Sequence, residues 1–111
     1  MLPLRGFNQM KGKSIILAGG SGGLGAAVAQ ALCERGAIPV IGCLRNRERG
    51  DALAERLSKA HGVTVPVVAG DILEASVRQR LIDEAQRAGE LYGLVPRVGN
   101  PARVPIETAT E

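Results

Sequence analysis

The chain has 111 residues and a formal net charge of +3, which suits one domain with a core of its own. Aromatic residues make up only 2%, so the core is expected to be aliphatic. Because Phe7 and Tyr92 are the only aromatic residues, the mild basicity does not favour a nucleic-acid binder that stacks bases. Cys33 and Cys43 lack C-x-x-C spacing, and no apolar secretory segment begins the chain, which predicts a cytoplasmic protein.

Apolar runs and helical spacings alternate along the chain. After a polar leader over residues 1–12, we predict a domain over residues 13–99 and a loop or tail over residues 100–111. The predicted strands are Ser14–Ala18, Ile38–Cys43, Thr64–Ala69 and Leu91–Val95, and the predicted helices are Leu24–Arg35, about Gly50–Ala60 and Ala75–Ala88.

This alternation is typical of βαβ units, which build a parallel sheet. Right-handed crossovers predict the strand order 3-2-1-4 and a partial, three-layer α/β fold of the Rossmann type. Such a sheet binds nucleotides at the carboxyl ends of its first and fourth strands. The uncharged stretch from Ser14 to Cys33 is long enough for a membrane span, but its five glycines, with Ser21 and Gln30, argue against one.

Glycines crowd the turn between the first strand and the first helix. The segment Gly20–Gly25 satisfies G-x-G-x-x-G, with a strand before it and a helix after it. Glycines allow a sharp turn and a close ligand approach, and the helix start presents unpaired N–H groups and a positive dipole end. This context predicts a site for a diphosphate.

The segment Ala18–Gly25 also resembles the T-G-x-x-x-G-x-G turn of the short-chain dehydrogenase/reductase family, with Ala18 in place of threonine. In that register Gly19, Gly23 and Gly25 match the three family glycines, whereas the two registers differ upstream of Gly25. The resemblance implies an oxidoreductase fold that binds a nicotinamide dinucleotide. The turn residues it implicates are Gly19, Ser21, Gly22, Gly23, Leu24 and Gly25.

A basic loop follows the second strand and bears on the choice of dinucleotide. The residue about 20 positions beyond the glycine turn contacts the adenosine ribose, and that count leads to Arg45, followed by Asn46. An acid there favours NAD, whereas an arginine favours the 2′-phosphate of NADP. We therefore expect NADP(H) to be preferred over NAD(H), with a solvated basic loop as the alternative.

Two further contacts are implied by the resemblance. In the family an aspartate after the third strand meets the adenine amino group, with the next residue's backbone beside it, and Asp71-Ile72 match that pattern. The alternative for Asp71 is a turn carboxylate that accepts a hydrogen bond from its own backbone. After the fourth strand the family carries N-N-A-G, of which only Gly99 remains here, while Pro96 and Arg97 depart from it.

The family's catalytic residues have no match in the chain. The family uses a serine and a Tyr-x-x-x-Lys pair, but Tyr92 is followed four residues later by Pro96. His61 stands alone, so no metal site is predicted. The resemblance therefore implies the NADP(H)-binding half of an oxidoreductase, inactive by itself.

The fourth strand is expected to form an exposed sheet edge, so we expect a homo-oligomer or a chain that depends on a partner. A non-catalytic dinucleotide-binding or pairing module is the main alternative function. A nucleic-acid binder that uses the basic loop is a third alternative. The preferred prediction has neither nucleic acid nor a membrane as a partner.

Overall fold

Four parallel strands form the sheet, in the order β3-β2-β1-β4. The computed structural model describes residues 10–19, 23–45 and 47–96. In chain order its elements are β1 (Lys13–Ala18), α1 (Gly23–Glu34), β2 (Ile38–Cys43), α2 (Arg47–His61), β3 (Val67–Ala69), α3 (Ala75–Ala88) and β4 (Glu90–Val95). The predicted strand order and the partial Rossmann-type fold are confirmed.

Side chains of β1 alternate between two apolar clusters because successive residues of a strand point to opposite faces. Ile15 and Leu17 pack with residues of α1 and α2, such as Ala29 and Leu57. Ile16 packs on the other face with α3. Helices therefore cover both faces of the sheet, which explains why β1 and β2 carry nearly continuous apolar runs.

Two polar contacts fix the position of β1 between its neighbours. The buried Ser14 hydroxyl donates a hydrogen bond to the carbonyl oxygen of Ala85 in α3, at 2.7 Å. The Lys13 Nζ lies 2.7 Å from a carboxylate oxygen of Glu90 and 5.7 Å from the ring centre of Tyr92. The first contact ties β1 to α3, and the second pair ties it to β4.

β4 lies at one end of the sheet, as expected from the sequence. Within the described ranges no strand pairs with its outer side. Its side chains are open to solvent, since Tyr92 is 64% exposed and Leu94 is 55% exposed. This strand is therefore an apolar sheet edge of the kind that pairs readily with another chain segment.

The uncharged stretch from residue 14 to residue 33 is divided between β1 and α1 and does not form one long helix. Among the described residues, every helix is too short or too polar to cross a membrane.

Candidate cofactor-binding site

A pocket of about 180 Å³ opens where β1, β2 and β3 end. Its volume is below the range of about 300–1,000 Å³ that encloses a drug-sized ligand, so it suits one ring system of a larger molecule. It is lined by Ala18, Gly19, Gly42, Leu44, Gly70, Asp71, Ile72, Val77 and Leu81. Asp71 is the one lining residue that carries a charge. The segments that follow three separate strands thus meet at the carboxyl edge, where open α/β sheets bind ligands.

The turn after β1 begins as the glycine pattern predicts. Gly19 has φ = 73°, a left-handed conformation that favours glycine, and its N–H donates to the carbonyl oxygen of Gly42 at 2.8 Å. Of the predicted turn residues, Ser21 and Gly22 lie outside the described residues. The left-handed conformation of Gly19 therefore ends β1 at the pocket.

α1 starts at Gly23, and its first turn carries no acidic residue. The positive end of its dipole is therefore not neutralised by a side chain of its own. Among the described residues, no atom lies within 4 Å of a Cβ added to Gly23. Leu24 is exposed, whereas Gly25 is buried on the packed side of α1.

The predicted ribose contact lies just beyond the pocket. Arg45 is exposed and follows Leu44, which lines the pocket. Within the described residues the guanidinium of Arg45 forms no ion pair, whereas Arg47 lies 3.5 Å from a carboxylate oxygen of Asp51. Asn46 lies outside the described residues, as does Gly99. In the described part of the chain, Arg45 is thus a cation without an ion-pair partner, two residues beyond the end of β2.

Asp71 lines the pocket and also forms the turn that the alternative interpretation predicts. Its Oδ1 accepts a hydrogen bond from the backbone N–H of Leu73 at 2.9 Å. A carboxylate has two oxygens with about four acceptor positions, so this turn leaves acceptor capacity at Asp71. The two interpretations of Asp71 are therefore compatible.

The structure adds one residue that the sequence analysis missed. The Nη1 of Arg78 donates to the carbonyl oxygen of Ile72 at 2.9 Å and to that of Leu73 at 2.7 Å. Arg78 belongs to α3, and its side chain reaches back over the loop that closes the pocket. One feature of the sequence could have indicated Arg78: it is a cation near the start of a predicted helix, where the helix dipole disfavours positive charge.

Both cysteines are buried and reduced. Burial, with a smaller contribution from Glu34, raises the pKa of Cys33 from 9.0 to about 11. Burial also raises the pKa of Cys43, against the lowering effect of Arg47. Both side chains therefore stay as neutral thiols near pH 7, which does not suit a nucleophile. In the described part of the chain, no three His, Cys, Asp or Glu residues are grouped to hold a metal.

Comparison with known proteins agrees with this geometry. The family described as short chain dehydrogenase matches residues 13–111. An uncharacterized oxidoreductase of Methylorubrum extorquens is 33% identical over 106 residues, which cover 95% of this chain and 42% of that protein. A tropinone reductase homolog of Arabidopsis thaliana is 38% identical over 109 residues, which cover 93% of this chain and 39% of that protein.

Solved structures show the same fold. A 3-hydroxyacyl-CoA dehydrogenase type-2 from Mycobacterium avium superposes with a TM-score of 0.72 at 33% identity, covering 83% of this chain and 34% of that one. The FolM alternative dihydrofolate reductase 1 from Brucella canis, complexed with NADP, superposes with a TM-score of 0.66 at 30% identity. The match covers 78% of this chain and 34% of that one.

The chain spans about two fifths of the length of the curated relatives named here. Their matched part is the region that forms β1 to β4 and the pocket in this chain. The family binds nicotinamide dinucleotide cofactors, which is the ligand class that the glycine turn and the carboxyl-edge pocket suit. The sequence match, the strand order and the position of the pocket together show that this chain belongs to the short-chain dehydrogenase family.

Proposed function

We propose that this chain is the NADP(H)-binding part of a short-chain oxidoreductase and that it does not reduce a carbonyl substrate by itself. The observation that carries the proposal is the convergence of Gly19, Leu44 and Asp71 on one pocket, although each follows a different strand. That convergence is what a dinucleotide requires, because its adenine, ribose and diphosphate contact successive strand ends.

The pocket itself suits adenine. Ile72, Val77 and Leu81 supply apolar surface against which a flat ring can pack. The Asp71 oxygen that the Leu73 N–H leaves free is an acceptor for the exocyclic amino group of adenine. The apolar walls and the Asp71 carboxylate of this pocket together favour a flat ring that carries an N–H donor.

The diphosphate is proposed to lie between Gly19 and the start of α1. The first turn of α1 carries no acidic side chain, and a Cβ at Gly23 would meet no atom of the described residues within 4 Å. Backbone N–H groups and the positive end of a helix dipole bind phosphate oxygens without a cationic side chain. A side chain at position 23 would occupy that space.

Preference for NADP(H) is proposed to come from Arg45. Its guanidinium lacks an ion-pair partner among the described residues, so a 2′-phosphate would not have to displace one. A guanidinium binds phosphate through two parallel hydrogen bonds, which makes this contact strong. The NADP complex of the Brucella canis relative supports this choice by similarity.

When bound, a nicotinamide dinucleotide supplies or accepts a hydride, and the residues of this chain bind and orient it. The family's proton-transferring Tyr-x-x-x-Lys pair has no match here, since Pro96 stands four residues after Tyr92. We therefore propose binding without turnover.

The experiment is a calorimetric titration with NADPH and with NADH, followed by a carbonyl-reduction assay. Arg45→Asp should lower NADPH affinity by about 10- to 100-fold, because a charged hydrogen-bonded contact contributes about 1.5–3 kcal/mol. Arg56→Asp makes the same charge change on an exposed face of α2 and should leave selectivity unchanged. Unchanged selectivity between NADPH and NADH in Arg45→Asp would exclude the 2′-phosphate role of Arg45. Carbonyl reduction by the unmodified chain would exclude the proposal that the chain is inactive by itself.

A pairing module is the second candidate, and the open edge of β4 favours it. Tyr92 and Leu94 leave apolar surface in solvent at a strand that can accept another strand. We propose that the chain is a homo-oligomer or depends on a partner through this edge. We propose a cytoplasmic location, because two cysteines without C-x-x-C spacing are typical of a reducing compartment.

A further inference from the structure

The loop that joins β3 to α3 carries both predicted adenine contacts and is held at several points. The Gly70 N–H donates to the carbonyl oxygen of Cys43 at 2.9 Å, which fixes the start of the loop to the end of β2. The N–H groups of Leu73 and Glu74 donate to the side chain and the carbonyl of Asp71, each at 2.9 Å. These bonds close a tight turn around Asp71.

Arg78 completes the turn from the other side. Its Nη1 donates to the carbonyl oxygens of Ile72 and Leu73 at 2.9 Å and 2.7 Å. Both carbonyls belong to the peptide units between Asp71 and the helix start. One guanidinium therefore sets the orientation of two successive peptide planes, Ile72–Leu73 and Leu73–Glu74, directly after Asp71.

The position of this arginine in α3 is unfavourable for the helix itself. Arg78 is the fourth residue of α3, whose first turn contains no acidic residue, and a cation there opposes the helix dipole. Glu74, which precedes the helix, makes no side-chain capping bond. Helix stability therefore does not account for an arginine here, whereas the two carbonyl contacts do.

We propose that Arg78 is a positioning residue for adenine recognition. It holds the loop so that the free oxygen of Asp71 faces the pocket and accepts from the 6-amino group of the base. This inference rests on the proposed function, because it requires a dinucleotide in the pocket. The adenine contact of Asp71 is the one that the family resemblance implies, and the new assignment is the positioning role of Arg78, which is separate from the phosphate selectivity proposed for Arg45.

The test compares NADPH with its hypoxanthine analogue, reduced nicotinamide hypoxanthine dinucleotide phosphate. The analogue carries a carbonyl oxygen where adenine carries the amino group, so a positioned Asp71 carboxylate would face an acceptor. Calorimetry on the whole chain should show at least about tenfold tighter binding of NADPH than of the analogue. Asp71→Asn should lose most of this ratio, since an amide can donate to the carbonyl.

Arg78→Met keeps the length of the side chain and removes its donors, so the ratio should fall at least about threefold. Arg78→Lys keeps a charged donor and should retain most of the ratio. Arg87→Met is the matched control, because Arg87 lies at the far end of α3 and contacts Glu84 at 2.7 Å. A purely structural role for Arg78 would lower the melting temperature and leave the ratio intact.

The outcomes separate the two proposals. A chain that binds neither dinucleotide would overturn the proposed function. A chain that binds both with equal affinity would retain dinucleotide binding and overturn the role given to Asp71 and Arg78. If the ratio of NADPH affinity to analogue affinity falls in Asp71→Asn but stays unchanged in Arg78→Met, only the positioning role of Arg78 is overturned.

Discussion

At Gly70 both the backbone conformation and the packing disfavour a side chain, so Gly70→Ala gives a quantitative test of the pocket wall. Its φ of 140° lies in a region that L-residues rarely adopt, which costs about 1–3 kcal/mol for alanine. A Cβ there would also lie 2.7 Å from Cγ2 of Val77, well inside the ordinary contact distance of about 3.5–4.0 Å.

Val77 cannot move away at low cost. It is 4% exposed and packs in the cluster with Val68 and Leu81, and a valine in a helix strongly prefers one rotamer. Overpacking of this kind costs about 1–3 kcal/mol. Adding the backbone strain, we expect Gly70→Ala to lower the free energy of unfolding by about 2–6 kcal/mol. That is a large part of the stability of a small domain, about 5–15 kcal/mol.

The assay is urea unfolding followed by circular dichroism. Gly62→Ala is the matched control, because Gly62 has φ = 69° but a Cβ there would meet nothing within 4 Å. It should cost only the left-handed strain, about 1–2 kcal/mol. Adding Val77→Ala to Gly70→Ala should remove the steric part, seen as a favourable coupling energy of about 0.5–3 kcal/mol. A loss in Gly70→Ala no larger than in Gly62→Ala would refute the packing argument.

Three further predictions concern the glycine turn, the thiols and the open edge. Gly23→Ala should leave the unfolding free energy unchanged or slightly higher, since alanine favours helix, while dinucleotide affinity measured by calorimetry falls; undiminished affinity would contradict the proposed diphosphate site. The pKa of Cys33 is about 11 in the folded chain, against a reference value of 9.0. The thiol therefore loses its proton at lower pH in the unfolded state than in the folded state. The free energy of unfolding should fall by up to about 2–3 kcal/mol as the pH rises from 9 to 11. Cys33→Ala should make that part of the stability–pH curve flatter than in the unmodified chain, and parallel curves would contradict the assignment. Leu94→Lys should weaken self-association in analytical ultracentrifugation by placing a charge on the β4 edge, and a chain that is already a stable monomer would exclude association through it.

The sequence was sufficient to predict the elements whose signals are local. The bounds of β2 and α3 coincide with those predicted, because apolar runs and helical spacing determine them directly. β3 is shorter than predicted and begins at Val67, since Pro66 has no N–H to donate to a neighbouring strand. α2 begins at Arg47 rather than near Gly50, so part of the predicted basic loop is helix.

Other features depend on the path of the chain in space. The sequence identified Asp71 and offered two interpretations, but only the conformation of the loop shows that its turn and its position at the pocket coexist. The contact between Arg78 and two carbonyls five and six residues earlier requires that the loop fold back over the helix start. No periodicity in the sequence encodes that geometry, so Arg78 could not be assigned from it.

The described packing explains some of the glycines in this chain but not others. At Gly70 the backbone and the neighbouring Val77 demand glycine, and at Gly89 a Cβ would lie 2.6 Å from the carbonyl oxygen of Gly12. Gly23 and Gly93 differ, because a Cβ at either would meet nothing within 4 Å and neither has a positive φ. Gly23 stands at the start of α1, and Gly93 lies in the edge strand β4. Neither the described packing nor the backbone conformation requires glycine at these two positions, so a loss of dinucleotide affinity in Gly23→Ala without a loss of stability would point to a ligand and not to the fold.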